Sequence, residues 1–212
     1  MNRVIPADNG HFGPAPGLEI WFDFGSNYSY LSVLRIEEAA RATGVNVEWR
    51  PFLLGPVFRD LGWSTSPLLA HDAKARYVWR DMERQAARHN LPWTRPSRFP
   101  RSSVLPARVA LIGADQWWAG DFCRRVMRQN FVEDRDIDSP EPVSEALEGL
   151  GLDSARILAE ANSADVKARL QARTEEAQRR GVFGAPTFFC GPEMFWGNDR
   201  LDEAMEWAAA ST

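Results

Sequence analysis

The apolar positions near the start of the chain change period twice. LEIWFDF, residues 18–24, is a nearly continuous apolar and aromatic run, which predicts a buried strand. From Ser26 the apolar residues recur at helical spacing, Leu31, Leu34 and Ala39 among them, and the pattern closes at Gly44. VNVEWRPF, residues 45–52, alternates as a second strand would. Strand, helix and strand within about 35 residues predict a β-α-β unit whose strands run parallel.

Between Ser66 and Gly181 the pattern is helical, with no convincing strand. Ser66-Pro67 reads as a cap followed by a first-turn proline, KARYVWRDMERQAARH (74–89) as a charge-laced helix, and LPWTRPSRFP (91–100) as a proline-rich connection. Helices follow at 104–115, 120–131, 142–150, 154–161 and 164–180, with Asp153 and Ser163 at starts and Gly181 at the last stop. Short strands at PTFFC (186–190) and EMFW (193–196), joined by a Gly191-Pro192 turn, then precede a closing helix over 199–210. No internal repeat is present. The order predicts an α/β, thioredoxin-like fold interrupted by a large all-helical insertion. Its parts would be a loose tail at 1–17, a discontinuous thioredoxin-like domain at 18–60 and 181–212, and an insertion at 61–180.

Composition narrows the function. The chain has 212 residues, 44% of them apolar, and a net charge of -4 without a basic block, which argues against a nucleic-acid partner. The first 17 residues carry no continuous apolar run, so neither a secretory signal nor a membrane anchor is expected there. Two distant cysteines, Cys123 and Cys190, and three histidines, His11, His71 and His89, have no metal-ligand spacing. Neither a zinc site nor a disulfide framework is expected, and the cytoplasm is the default compartment. Nine tryptophans could fill a core or line an aromatic-ligand pocket.

Three stretches carry candidate chemistry. In WFDFGSNYSYLS, residues 21–32, Ser26 and Ser29 have the spacing of a Cys-x-x-Cys pair at the head of a helix, yet two hydroxyls cannot cycle as a disulfide. A serine there, with no evident histidine base, is a poor hydrolase nucleophile and a good donor to an anion such as a bound thiolate. Ser26 or Asn27 as a simple helix cap is the competing reading. In GVFGAPTFF, Pro186 before a strand can take a cis bond or an ordinary trans one. In FWGNDRL, Gly197 permits an unusual turn, while Asn198 and Asp199 can cap the last helix or hold a ligand.

The ordered set FDFGSNYSYLS, RPFLLG, KARYVWRDMERQA, GVFGAP and FWGNDRL resembles the 2-hydroxychromene-2-carboxylate isomerase family and, more distantly, the kappa-class glutathione transferases of the DsbA-like thioredoxin-fold superfamily. The resemblance runs from Leu18 to Trp207. It implies reduced glutathione as cofactor, with its sulfur activated by Ser26 and its cysteinyl part paired to the backbone of Ala185 before a cis Pro186. The γ-glutamyl end would be held by Gly197, Asn198, Asp199 and Arg200.

By the same resemblance the reaction would convert 2-hydroxychromene-2-carboxylate, or a related aromatic acid, to trans-o-hydroxybenzylidenepyruvate in aromatic catabolism, and it leaves room for a homodimer. The alternatives are a kappa-like glutathione transferase or peroxidase and a noncatalytic thioredoxin-fold binding protein. The chain departs from the family at Asn27, where a proline is usual, in GWSTSPLLAHDAKAR, which lacks an Asn-Lys-Pro-Pro run, and in FPRSS. An insertion that roofs the sulfur would form an apolar pocket, for which Phe58, Trp63, Tyr77 and Phe99 are the candidate walls. Arg101, Ser102 and Ser103 are the candidate partners of a substrate carboxylate.

Overall fold

A computed structural model describes residues 17–63, 66 and 71–211. The tail and the Ser66-Pro67 cap therefore lie wholly or partly outside the described residues. The core is a four-stranded sheet of order β2-β1-β3-β4, built from β1 (Gly17–Phe22), β2 (Asn46–Pro51), β3 (Thr187–Cys190) and β4 (Glu193–Trp196). β1 and β2 run parallel, whereas β3 is antiparallel to β1 and to β4. Helix α1 (Asn27–Thr43) makes the crossover between the parallel strands and ends at Gly44, whose φ of 72° is open to glycine without side-chain strain.

Strand β1 is largely apolar on both faces because both are covered, with Glu19, paired to Arg50 and Arg180, as the exception. Leu18, Ile20 and Phe22 point into one apolar cluster with α1, while Trp21 points into another with Phe52, Val57, Ala177 and Val182. That split is the two-residue period of a pleated strand. β3 repeats it, Phe188 joining the first cluster and Phe189 the second.

Among the described residues seven helices separate β2 from β3: α2 (Leu54–Asp60), α3 (Asp72–Arg88), α4 (Val104–Gly113), α5 (Ala119–Phe131), α6 (Pro140–Glu148), α7 (Ser154–Ala161) and α8 (Ala164–Arg179). Asp153 and Ser163 cap α7 and α8 through their side chains. His71 and His89 flank α3 as its two end residues. A 3-10 turn, Asn198–Arg200, leads into α9 (Leu201–Ala210). This is the thioredoxin-like fold with a helical insertion that the order of elements predicts.

Helix α2 is not anticipated from the sequence, and it contains Gly55 and Pro56, two residues of low helix propensity. Both fall in its first turn, where a proline's missing N–H breaks no helical bond. The tryptophans divide between both roles considered for them: Trp21, Trp49, Trp79 and Trp118 are buried, whereas Trp63 and Trp196 are exposed at a cavity wall. Among the described residues no helix is long and apolar enough to cross a membrane, and no group of three or more His, Cys, Asp or Glu could hold a metal ion.

Candidate active site

A cavity of about 860 Å³ opens beside the turn from β1 to α1, within the size range of small-molecule sites. Ser26 stands at its floor. The backbone of Ser26 is extended, which makes it the N-cap of α1, and its Oγ accepts from the Ser29 N–H at 3.2 Å. The hydroxyl proton goes elsewhere, to the carbonyl of Ala185 at 3.0 Å. One side chain thus caps the helix and joins the two ends of the chain across the site.

Ala185 belongs to the second wall. The Ala185–Pro186 peptide bond is cis, and the Pro186 carbonyl accepts from Gly197 N–H at 3.0 Å. Gly197 has φ 114° and ψ 151°, a conformation that is close to glycine-only. Just before the cis bond, Gly184 lets the Trp196 indole cross the backbone, since a Cβ there would lie 2.3 Å from the indole Nε1. Trp196 packs edge-on against Phe183 at 4.7 Å, and both rings line the cavity. Neither was anticipated from the sequence, although the glycine of GVFGAP opposite the tryptophan of EMFW was its trace.

Asp23 was also missed. It is 7% exposed, and its carboxylate accepts from Gly25 N–H and Leu54 N–H, each at 2.7 Å, and from Ser103 Oγ at 2.7 Å. Those donors come from the β1–α1 turn, the start of α2 and the start of α4, so one buried acid fixes three walls. Burial pushes its pKa above the usual 3.8, even though the three hydrogen bonds pull the other way. Tyr28, in the first turn of α1, donates to Asp81 at 2.8 Å. Burial first, and then that carboxylate, push its phenol up, so it stays protonated.

The four aromatic wall candidates, Phe58, Trp63, Tyr77 and Phe99, all line the cavity. The three carboxylate candidates line it too, but their polar groups are committed elsewhere. Arg101 bonds Asn130 Oδ1 at 2.8 Å and the Asp134 carbonyl at 3.1 Å, and pairs with the Asp134 carboxylate. Its side chain is only 6% exposed, so it braces the 97–103 loop against the end of α5 instead of offering its charge to a ligand. Ser102 donates to Asp138 and Ser103 to Asp23. What Arg101 does present is its backbone carbonyl, 2.8 Å from where a Cβ on Gly25 would stand.

Asn198, Asp199 and Arg200 stand outside the cavity lining. Asn198 is buried and its Oδ1 accepts from Ser32 at 3.1 Å and Arg35 at 3.3 Å, which ties the turn to α1. Asp199 is exposed, and Arg200 pairs with Glu203 at 2.8 Å.

The family model of the DSBA-like thioredoxin domain matches residues 17–206. A 2-hydroxychromene-2-carboxylate isomerase of Sphingobium xenophagum is 30% identical over 186 residues, covering 87% of this chain and 94% of the relative. Glutathione S-transferase kappa 1 of Rattus norvegicus is 24% identical over 205 residues, 90% of each chain. A solved structure of a 2-hydroxychromene-2-carboxylate isomerase superposes with a TM-score of 0.81 at 27% identity, covering 92% of this chain and 95% of that one. The chain belongs to the DSBA-like thioredoxin-domain family and, within it, to the family of 2-hydroxychromene-2-carboxylate isomerases.

Proposed function

We propose that this protein is a glutathione-dependent isomerase of aromatic catabolism, acting on 2-hydroxychromene-2-carboxylate or a related cyclic aromatic acid. The observation that carries the reading is the Ser26 hydroxyl, set at the N-terminus of a 17-residue helix, 3.0 Å from the carbonyl before a cis proline and open to an apolar cavity. The kappa-class glutathione S-transferase relatives support the cofactor, and the named isomerases support the reaction class.

The residues present fit a thiolate. No acidic side chain lies in the first turn of α1, so no residue of the helix itself neutralises the partial positive charge there. Asn27, 1% exposed beside Ser26, has an Nδ2 donor with no partner among the described residues. Bound glutathione would supply a sulfur nucleophile that can add to a ring double bond and leave again unconsumed.

Ser26 would turn its proton from Ala185 to the sulfur, keeping the acceptor role that caps the helix. Ala185 would offer its backbone to the cysteinyl part, and Asp199 would meet the γ-glutamyl end. Phe58, Tyr77 and Trp196 would enclose the ring and exclude water. Neither Tyr28, with its proton held by Asp81, nor Asp23, with both oxygens occupied, is free to act as a base.

The test is a titration of glutathione bound to the protein, followed by thiolate absorbance. The thiol should ionise at least about one unit below a free thiol's value of roughly 8.5, and the Ser26→Ala variant should lose most of that shift. An unshifted thiol at saturation contradicts the reading.

A further inference from the structure

With Arg101 committed to α5, the cavity needs another cation if it is to hold an acid. Among the described lining residues two others are cationic, Arg59 in the last turn of α2 and Lys74 in the first turn of α3. Neither side chain forms a hydrogen bond or ion pair with any described residue. The one acidic residue among the described lining residues is Asp23, whose oxygens are already satisfied. The uncommitted charge of this cavity is therefore positive.

Placement shows that these charges do not serve the helices alike. Arg59 suits the negative end of α2, but Lys74 sits at the positive end of α3, where a cation is unfavourable. Lys74 shares a helix face with Tyr77 and Val78 at three and four residues' spacing, and all three line the cavity. Arg59 lies back over the first turn of α2: its Nη1 is 3.6 Å from where a Cβ on Gly55 would stand, and Gly55 is itself a lining residue. Each cation also neighbours an aromatic wall, Phe58 before Arg59 and Tyr77 one turn after Lys74. Tyr77 is 62% exposed and Trp63 41%, a large aromatic surface to leave in water around two unpaired charges.

We infer that Arg59 and Lys74 together receive the carboxylate of the aromatic substrate, while the rings between them take its planar body. The inference rests on the isomerase reading of the same site. Glutathione also carries carboxylates, but a peptide chain gains little from aromatic walls, whereas a planar acid matches both features at once.

The test compares trans-2-hydroxycinnamate with its methyl ester by calorimetry on the glutathione-saturated protein, in wild type, Arg59→Gln, Lys74→Gln and the double variant. Both side chains are on the surface, so the substitutions leave the core untouched. Wild type should prefer the acid by about tenfold, each single variant should lose up to about fivefold, and the double variant should bind acid and ester alike, as expected for ion pairs at a solvent-exposed mouth. The Michaelis constant for the chromene carboxylate should rise in parallel while that for glutathione stays constant.

The inference is overturned if wild type binds no acid, if it binds the ester as well as the acid, or if the double variant keeps the preference. A rise confined to the glutathione constant also overturns it, by assigning the pair to the peptide's carboxylate. The isomerase reading fails on a different observation, the absence of glutathione-dependent conversion.

Discussion

Replacing Ser26 by alanine removes one oxygen that serves the fold and the site in different amounts. Two bonds go with it, the cap on Ser29 N–H at 3.2 Å and the donation to Ala185 O at 3.0 Å. Losing a serine cap costs about 1 kcal/mol, and the first turn of α1 holds no acidic residue to compensate. The second bond contributes about 1 kcal/mol more, since Ser26 is 6% exposed and water cannot fully replace it. A loss of about 2 kcal/mol should lower the melting temperature by roughly 4 to 8 °C in a domain of this length.

The effect on the reaction should be much larger. Removing a preorganised donor to a developing anion typically costs about 100- to 1000-fold in turnover. Calorimetric melts and steady-state kinetics on the same preparation separate the two effects. If the melt shifts as calculated while turnover stays near wild type, Ser26 is a cap and nothing more. If the melt does not move, the two hydrogen bonds carry no stability and the geometric reasoning fails as well.

Asp23 should make stability depend on pH in the opposite sense to a salt-bridged acid. Because burial raises its pKa, the folded state holds the proton more tightly than the unfolded state, so stability is greatest below 3.8 and falls as the pH climbs through the raised value. Urea midpoints of Asp23→Asn should lack that fall, and an identical pH profile in the two proteins contradicts the assignment. Asp134 works on the other side: hydrogen bonding from Arg101 holds its carboxyl down to about 2, so its contribution is present above 3.8 and lost as the pH drops through about 2. Asp134→Asn should remove that acid-side loss and loosen the 97–103 loop, read by amide hydrogen exchange at Ser97, whose N–H bonds Asp134 at 2.8 Å. Gly184→Ala should push the Trp196 indole off the cavity wall and raise the substrate Michaelis constant, with a matching change in tryptophan emission; unaltered emission and kinetics would show that the indole has room to spare.

The sheet and most helices were legible because their apolar periods are unambiguous and their stops sit at Gly44 and Gly181, both with positive φ. The site was legible where it is local: Ser26 at a strand-to-helix turn and Pro186 before a strand can be read within a few residues. Long-range satisfaction was not. Asp23 looks like a polar interruption of an apolar strand until Leu54 and Ser103, 31 and 80 residues away, prove to be its donors. Arg101 looks free until Asn130 and Asp134 come round on α5 and the segment after it. Charge in a sequence marks a possible partner, but only the fold decides which charges remain uncommitted, and among the described lining residues of the cavity those are Arg59 and Lys74.

Recovery of glutathione is the most direct test of a thiol that assists the reaction and is not consumed. The purified protein is mixed with a 2-hydroxychromene-2-carboxylate in large excess over reduced glutathione, and both the ring-opened product and the free thiol are followed to completion. Full conversion with all glutathione recovered as the free thiol, and no conversion without it, is the expected result. Conversion that stops when glutathione runs out, with sulfur left on the product, would make this protein a transferase and contradict the isomerase reading.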